Sequence, residues 1–291
     1  MSGDLQSRTA ASVRARLLNL SKNQEEAFDL TLTRYALERF LYRLSHTQHR
    51  SSLILKGAML FQVWSPTTHR STRDLDLLAE GDTSIASITQ RIIEITSQEV
   101  EEDGLIFDTT GLVVREIREQ AEYGGVRAKF EALLGTAKIS IQIDFGAGDA
   151  VTPTPTEAEY PTLLDMPSPV VLMYPRETVI AEKLEAIVEL GMDNSRMKDY
   201  FDLWFLSTTY QYDTELLALA VRRTFERRKQ RLPIDVPVGL TDEFATNPSK
   251  QAQWTAFRTR IGGSVLTLTD VVTQVRSFTM PILLAGSDRC S

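Results

Sequence analysis

Asp74 and Asp76 are separated by one residue, in a segment, Asp74-Leu75-Asp76-Leu77-Leu78, that alternates acidic and apolar positions. In a strand, residues i and i+2 face the same side, so the two carboxylates project together. Adjacent carboxylates repel unless a cation lies between them or one takes a proton. Hard oxygen ligands of this kind suit Mg²⁺ or Mn²⁺. Asp144 is a third carboxylate. It lies in 137–145, where Ile139, Ile141 and Ile143 alternate with Ser140, Gln142 and Asp144. Three carboxylates from two neighbouring strands can hold two metal ions, which stabilise the attacking and leaving oxygens of a phosphoryl transfer.

Other residues fit the same chemistry. In Leu55-Lys56-Gly57-Ala58, a glycine between an apolar run and a helix start lets the backbone approach a phosphate closely. The helix N-terminus that follows offers N–H groups to an anion. Lys183, in Ala181-Glu182-Lys183-Leu184-Glu185-Ala186, has the charge to neutralise a triphosphate. Asp199 opens a later helix, where the dipole favours a carboxylate. Each of these also has an ordinary reading. Paired aspartates decorate solvated surfaces, glycines end many strands, helix lysines are mostly solvated, and an early helical aspartate is often a cap. The three histidines, His46, His49 and His69, have no zinc-site spacing. No phosphate-binding G-x-x-x-x-G-K-[ST] or G-x-S-x-G is present.

The elements that must position these groups can be read coarsely. Residues 24–45 keep a helical period through Phe28, Leu32, Tyr35, Leu37, Phe40 and Leu44, and a weaker helix is expected at 9–20. Leu53-Ile54-Leu55 reads as a buried strand, 58–64 as a helix start, 74–79 as a strand and 84–101 as a helix covering the sheet. Strands are expected near 111–118, 124–133 and 137–145. Six of the eleven prolines fall in 151–175, a plausible connection. Helices are expected near 176–190, 196–208, 213–229 and 265–278. The organisation is therefore an α/β domain at 1–150, a proline-rich connection at 151–175 and an α-helical domain at 176–291.

Composition narrows the classes. With 42% hydrophobic and 24% charged residues, the 291-residue chain is ordinary for a globular protein with a real core. No window resembles a membrane span or a secretory core, and the single cysteine, Cys290, forms no internal disulfide. A cytoplasmic protein is expected. The net charge of −7 gives no overall pull toward nucleic acid. Any such contact needs a local patch, and Arg222, Arg223, Arg227, Arg228, Lys229 and Arg231 form one candidate. A solvated helix end followed by a loop is the other reading of that run.

Five blocks, in order, carry a resemblance. They are Leu53-Ile54-Leu55-Lys56-Gly57-Ala58-Met59-Leu60; Arg70-Ser71-Thr72-Arg73-Asp74-Leu75-Asp76-Leu77; Ile141-Gln142-Ile143-Asp144-Phe145-Gly146; Val179-Ile180-Ala181-Glu182-Lys183-Leu184-Glu185-Ala186; and Asn194-Ser195-Arg196-Met197-Lys198-Asp199-Tyr200-Phe201-Asp202-Leu203. The sequence resembles the AbiEii toxin family, which includes the MenT toxins, within the polymerase-β-like nucleotidyltransferases. The turn departs from the superfamily's frequent Gly-Ser and the family's frequent Gly-Gly. Ala58 has no hydroxyl, so a phosphate contact there is through backbone N–H.

The resemblance implies an α/β (α+β) fold: an N-terminal polymerase-β-like mixed sheet with helices, then an α-helical C-terminal half. It implies that Asp74, Asp76 and Asp144 bind Mg²⁺ or Mn²⁺, and that Asp144 helps activate the attacking hydroxyl. Gly57, Ala58, Arg70, Thr72 and Lys183 would bind the nucleotide, and Asp199 would be essential, by orienting Lys183 or the base. The implied activity is transfer of NMP from an NTP to the 3′-hydroxyl of tRNA, blocking translation, with an AbiEi-type antitoxin encoded beside it. Two alternatives remain: a nucleotidyltransferase acting on a protein or small molecule, and a non-catalytic nucleotide-binding protein.

Overall fold

The structure, a computed structural model, describes residues 2–65, 72–117, 124–263 and 265–287, with residues 2–5 and 287 as backbone only. Arg70 lies outside the described residues. In chain order the elements are α1 (Ser2–Asn23), α2 (Phe28–Ser45), β1 (Leu53–Lys56), α3 (Leu60–Trp64), β2 (Asp74–Ala79), α4 (Ile85–Thr96), β3 (Leu105–Ile117), β4 (Gly125–Leu134), β5 (Ala137–Ala147), β6 (Thr156–Glu159) and β7 (Val170–Met173). They continue with α5 (Arg176–Leu190), α6 (Met197–Thr209), α7 (Thr214–Arg227), α8 (Asp242–Thr246), α9 (Pro248–Arg260) and α10 (Leu268–Ser287). The fold is mixed α/β with a helical C-terminal half, as the sequence leads one to expect. Two compact units divide the chain, one of Met1–Gly148 with Thr156–Met173, the other of Asp149–Pro155 with Tyr174–Ser291.

Among the described residues, the first unit contains one seven-stranded mixed sheet, ordered β3-β4-β5-β2-β1-β7-β6. β2 runs parallel to β5 and β1 parallel to β7; the other neighbours are antiparallel. The proline-rich stretch supplies β6 and β7, which extend the sheet beyond β1. The period-2 patterns sort the side chains into two faces. On one face Leu75 and Leu77 of β2, Val126, Ala128, Phe130 and Ala132 of β4, and Ile139, Ile141, Ile143 and Phe145 of β5 are all buried. Helix α2 packs against β5 and β7, and α4 against β3 and β4. α4 buries Ile88, Ile92 and Ile95, a one-sided helical spacing, and Ser84 caps it by accepting the Ser87 N–H at 3.2 Å.

Helix α2 is buried along almost its whole length, charged residues included. Charges in that position need internal partners. Arg43 forks onto both oxygens of Asp103, at 2.6 and 3.1 Å. Arg39 donates to the Pro167 carbonyl at 2.7 Å. Glu38 accepts the Leu163 N–H at 2.7 Å and lies 3.3 Å from Arg39. Burial nevertheless pushes the Glu38 carboxyl up to about 7, with Arg39 opposing.

In the second unit α5 packs on α6 and α7, and α10 on α6, α7 and α8. Side-chain caps mark the helix starts: Asp213 accepts the Leu216 N–H at 2.9 Å, and Asn247 accepts the Ser249 N–H at 2.9 Å ahead of Pro248. Trp254, almost wholly buried, donates to the Leu266 carbonyl at 3.0 Å. The segment 149–155 is tied in by a two-way bond, Thr152 N–H to Thr178 at 2.8 Å and Thr178 hydroxyl to the Thr152 carbonyl at 2.9 Å.

Candidate active site

The face of the sheet opposite the apolar layer carries the candidate chemistry of the first unit. Asp76 on β2 pairs in register with Asp144 on β5, and Asp74 with Gln142. Asp76 also pairs with Lys56 on β1, and Asp144 with Arg127 on β4, which pairs in turn with Arg115 on β3. Directly paired residues project to the same side. Five strands therefore lay down one row of charge: Arg115, Arg127, Asp144, Asp76, Lys56. Asp74, Asp76 and Asp144 are all half-buried.

Arg127 donates Nε to one oxygen of Asp144 at 2.7 Å and Nη2 to the other at 2.6 Å. This fork is the strong, charge-assisted geometry. The sequence reading passed over Arg127 because its link to Asp144 is a matter of strand register. Among the described residues no group of three or more His, Cys, Asp or Glu side chains converges to hold a metal ion. Asp74 and Asp76 still fit one, because Mg²⁺ commonly takes one or two carboxylates and completes its shell with water and substrate phosphates.

Gly57 explains the turn. Its φ is +72°, in the left-handed region, and it opens a 3₁₀ turn, Gly57–Met59, ahead of the five-residue α3. A Cβ placed there would lie 2.0 Å from Oδ2 of Asp76 and 2.7 Å from its Cγ. The backbone of the turn therefore lies directly against the Asp76 carboxylate, an approach that only glycine permits. Ala58 is buried. Thr72 accepts the Asp74 N–H at 3.3 Å and so fixes the start of β2.

In the helical unit, Lys183 on α5 donates to Asp199 at 2.7 Å and lies 2.8 Å from Asp202, both on α6. The lysine side chain is 14% exposed, Asp199 7% and Asp202 0%. Asp202 was missed by sequence reasoning, although its i, i+3 spacing from Asp199 places both on one helix face. The basic run 222–231 is partly committed within this unit. Arg222 lies 3.7 Å from Glu226, Arg223 donates to Thr152 at 3.3 Å, and Arg228 pairs with the buried Glu185. Arg227, Lys229 and Arg231 are exposed.

Among the described residues no helix is long and apolar enough to cross a membrane. No curated protein matches the sequence. A crystal structure described as a candidate nucleotidyltransferase from H. pylori shares 14% identity with a TM-score of 0.51, covering 87% of this chain and 95% of its own. A second, JHP933 from Helicobacter pylori, shares 13% identity over 88% of this chain and 92% of its own, at a TM-score of 0.49. The first of these shows a shared fold. The model of the nucleotidyl transferase AbiEii toxin family, type IV toxin–antitoxin system, matches residues 39–275. With most of its length matched, carboxylate strands and helical half included, the chain belongs to the AbiEii nucleotidyltransferase toxin family.

Proposed function

We propose that this nucleotidyltransferase transfers a nucleoside monophosphate from an NTP to the 3′-hydroxyl of tRNA in the cytoplasm, blocks translation by doing so, and is held in check by an AbiEi-type antitoxin. The observation that carries the site is the row of Asp144, Asp76 and Lys56 beside the Gly57 turn, with Asp74 one step along the same face. Asp74 and Asp76 would hold Mg²⁺ or Mn²⁺, with Asp144 as the third ligand. The bound cation would neutralise charge on the reacting phosphates.

The residues of the chain do the rest by positioning. The 3′-oxygen of the acceptor attacks the α-phosphorus. The bond from that phosphorus to the bridging oxygen breaks, pyrophosphate leaves, and the hydroxyl proton goes to Asp144. Backbone N–H groups at Gly57 and Ala58, with Arg70 and Thr72, would orient the triphosphate. Lys183 would bind its charge, steadied by Asp199. The exposed members of the basic run, Arg227, Lys229 and Arg231, are the proposed contact for the RNA backbone.

The test supplies each of the four α-³²P NTPs, with Mg²⁺, to total tRNA and to the same tRNA after periodate oxidation of its 3′ end. Label on intact tRNA alone is expected. Label on both preparations would rule out the 3′-hydroxyl as acceptor. Label on neither, with transfer to protein or a small molecule, would replace tRNA by that acceptor.

A further inference from the structure

We propose that Arg127 is an exchangeable counter-ion: it neutralises Asp144 in the free protein, leaves when a divalent cation reaches that carboxylate, and then takes a phosphate oxygen of the bound nucleotide. The nucleotide half of this inference rests on the function proposed above; the cation half does not.

Three observations carry it. First, both oxygens of Asp144 accept from Arg127, at 2.7 and 2.6 Å, although Asp144 is the direct register partner of Asp76. Two neighbouring carboxylates on parallel strands need positive charge nearby. Arg127 supplies it from the adjoining strand.

Second, the pair is not locked by burial. Arg127 is 28% exposed and Asp144 15%. The same unit contains a locked counterpart, Arg43 with Asp103, at 8% and 5% exposure, between a buried helix and the segment ahead of β3. Removing one partner of a buried pair leaves an uncompensated charge away from water, whereas the groups of a partly hydrated pair can part at small cost, so a divalent ion can displace its cation.

Third, the row shows where the displaced charge would go. On the side away from Asp144, the register neighbour of Arg127 is Arg115. Like charges directly opposite one another repel, which favours Arg127 leaning toward Asp144 in the free protein. Once a metal satisfies Asp144, two neighbouring arginines remain beside the cation site without that carboxylate. A guanidinium fork that fits a carboxylate fits a phosphate equally well. The ligand class is therefore the polyphosphate of a nucleotide.

The test uses the full chain and Mn²⁺, read by electron paramagnetic resonance, with neither nucleotide nor acceptor present. Arg127→Met should bind Mn²⁺ about tenfold more tightly than wild type, equivalent to ~1.4 kcal/mol. The gain should vanish in Arg127→Met/Asp144→Asn. With Mn²⁺ saturating, affinity for the α,β-methylene NTPs should fall in Arg127→Met. Unchanged or weaker Mn²⁺ binding in Arg127→Met, or a gain that survives loss of the Asp144 charge, would overturn the exchange. If Arg127→Met does not fold, Arg127→Lys decides. Lysine loses the fork, so Mn²⁺ should bind a few-fold more tightly, and unchanged binding overturns the proposal. Failure of wild-type protein to label tRNA would remove the proposed function and leave the Mn²⁺ result standing.

Discussion

Gly57→Ala is expected to disable the site while leaving the fold in place. The backbone there has φ +72°. A non-glycine residue in the left-handed region costs about 1–2 kcal/mol. The new methyl would also stand 2.0 Å from Oδ2, 2.7 Å from Cγ and 2.8 Å from Cβ of Asp76, so the carboxylate or the turn must move by about an ångström. The strain alone should lower the melting temperature by about 2–6 °C. A displacement of that size at a reacting centre costs on the order of a hundredfold in rate. The assay compares transfer rate and thermal unfolding of Gly57→Ala with Gly111→Ala, where an added Cβ meets nothing within 4 Å. The Gly111 variant should match wild type in rate. Wild-type transfer by Gly57→Ala would refute the close approach as the reason for glycine.

Three further outcomes follow from the geometry. The Glu38 carboxyl, pushed up to about 7 by burial, stays protonated in the folded chain where the unfolded chain, near 4.5, has lost its proton. Its contribution to stability is therefore full below about pH 4.5 and is lost as pH rises through about 7, a change of up to about 3 kcal/mol; denaturant titrations should show Glu38→Gln flattening that window, and an unaltered pH profile would contradict it. Lys183→Met leaves Asp199 and Asp202 adjacent without their shared cation. It should cost about 3–5 kcal/mol, and Lys183→Met/Asp202→Asn should recover part of that in a double-mutant cycle, whereas strict additivity would deny the coupling. Arg228→Ala removes the cation from the buried Glu185, leaving it the Gln230 hydrogen bond, and should destabilise the protein by about 2–4 kcal/mol, while Arg231→Ala should stay within about 0.5 kcal/mol. For that reason Arg231 is the position at which to measure the salt dependence of RNA binding, and equal melting of the Arg228 and Arg231 variants would contradict the pairing.

Much of the fold was legible because its patterns are local. The alternation at 74–79 matches β2, and Ile139, Ile141 and Ile143 lie on the buried face of β5 as their period requires. What was not legible depends on register or on weak local signals. Arg127 meets Asp144 across a hairpin whose register no local pattern sets. β6 and β7 are four residues each and lie among prolines, so their stretch reads as a connection. The short α8, and α9, whose apolar residues form no clear stripe, were missed. The reading of Arg222–Arg231 as a surface run overlooked Glu185, forty-three residues earlier in sequence, as the partner of Arg228. Helix periodicity places α5 and α7, but their side-chain pairing belongs to tertiary structure.

The most direct measurement gives the enzyme NTP labelled at the α-phosphate or at the γ-phosphate, with Mg²⁺ and total tRNA, alongside Asp74→Asn/Asp76→Asn. Label retained from the α-phosphate, absent from the γ-phosphate and lost in the double variant is the expected result. Transfer of the γ-label, or undiminished transfer without Asp74 and Asp76, would contradict nucleotidyl transfer at this site.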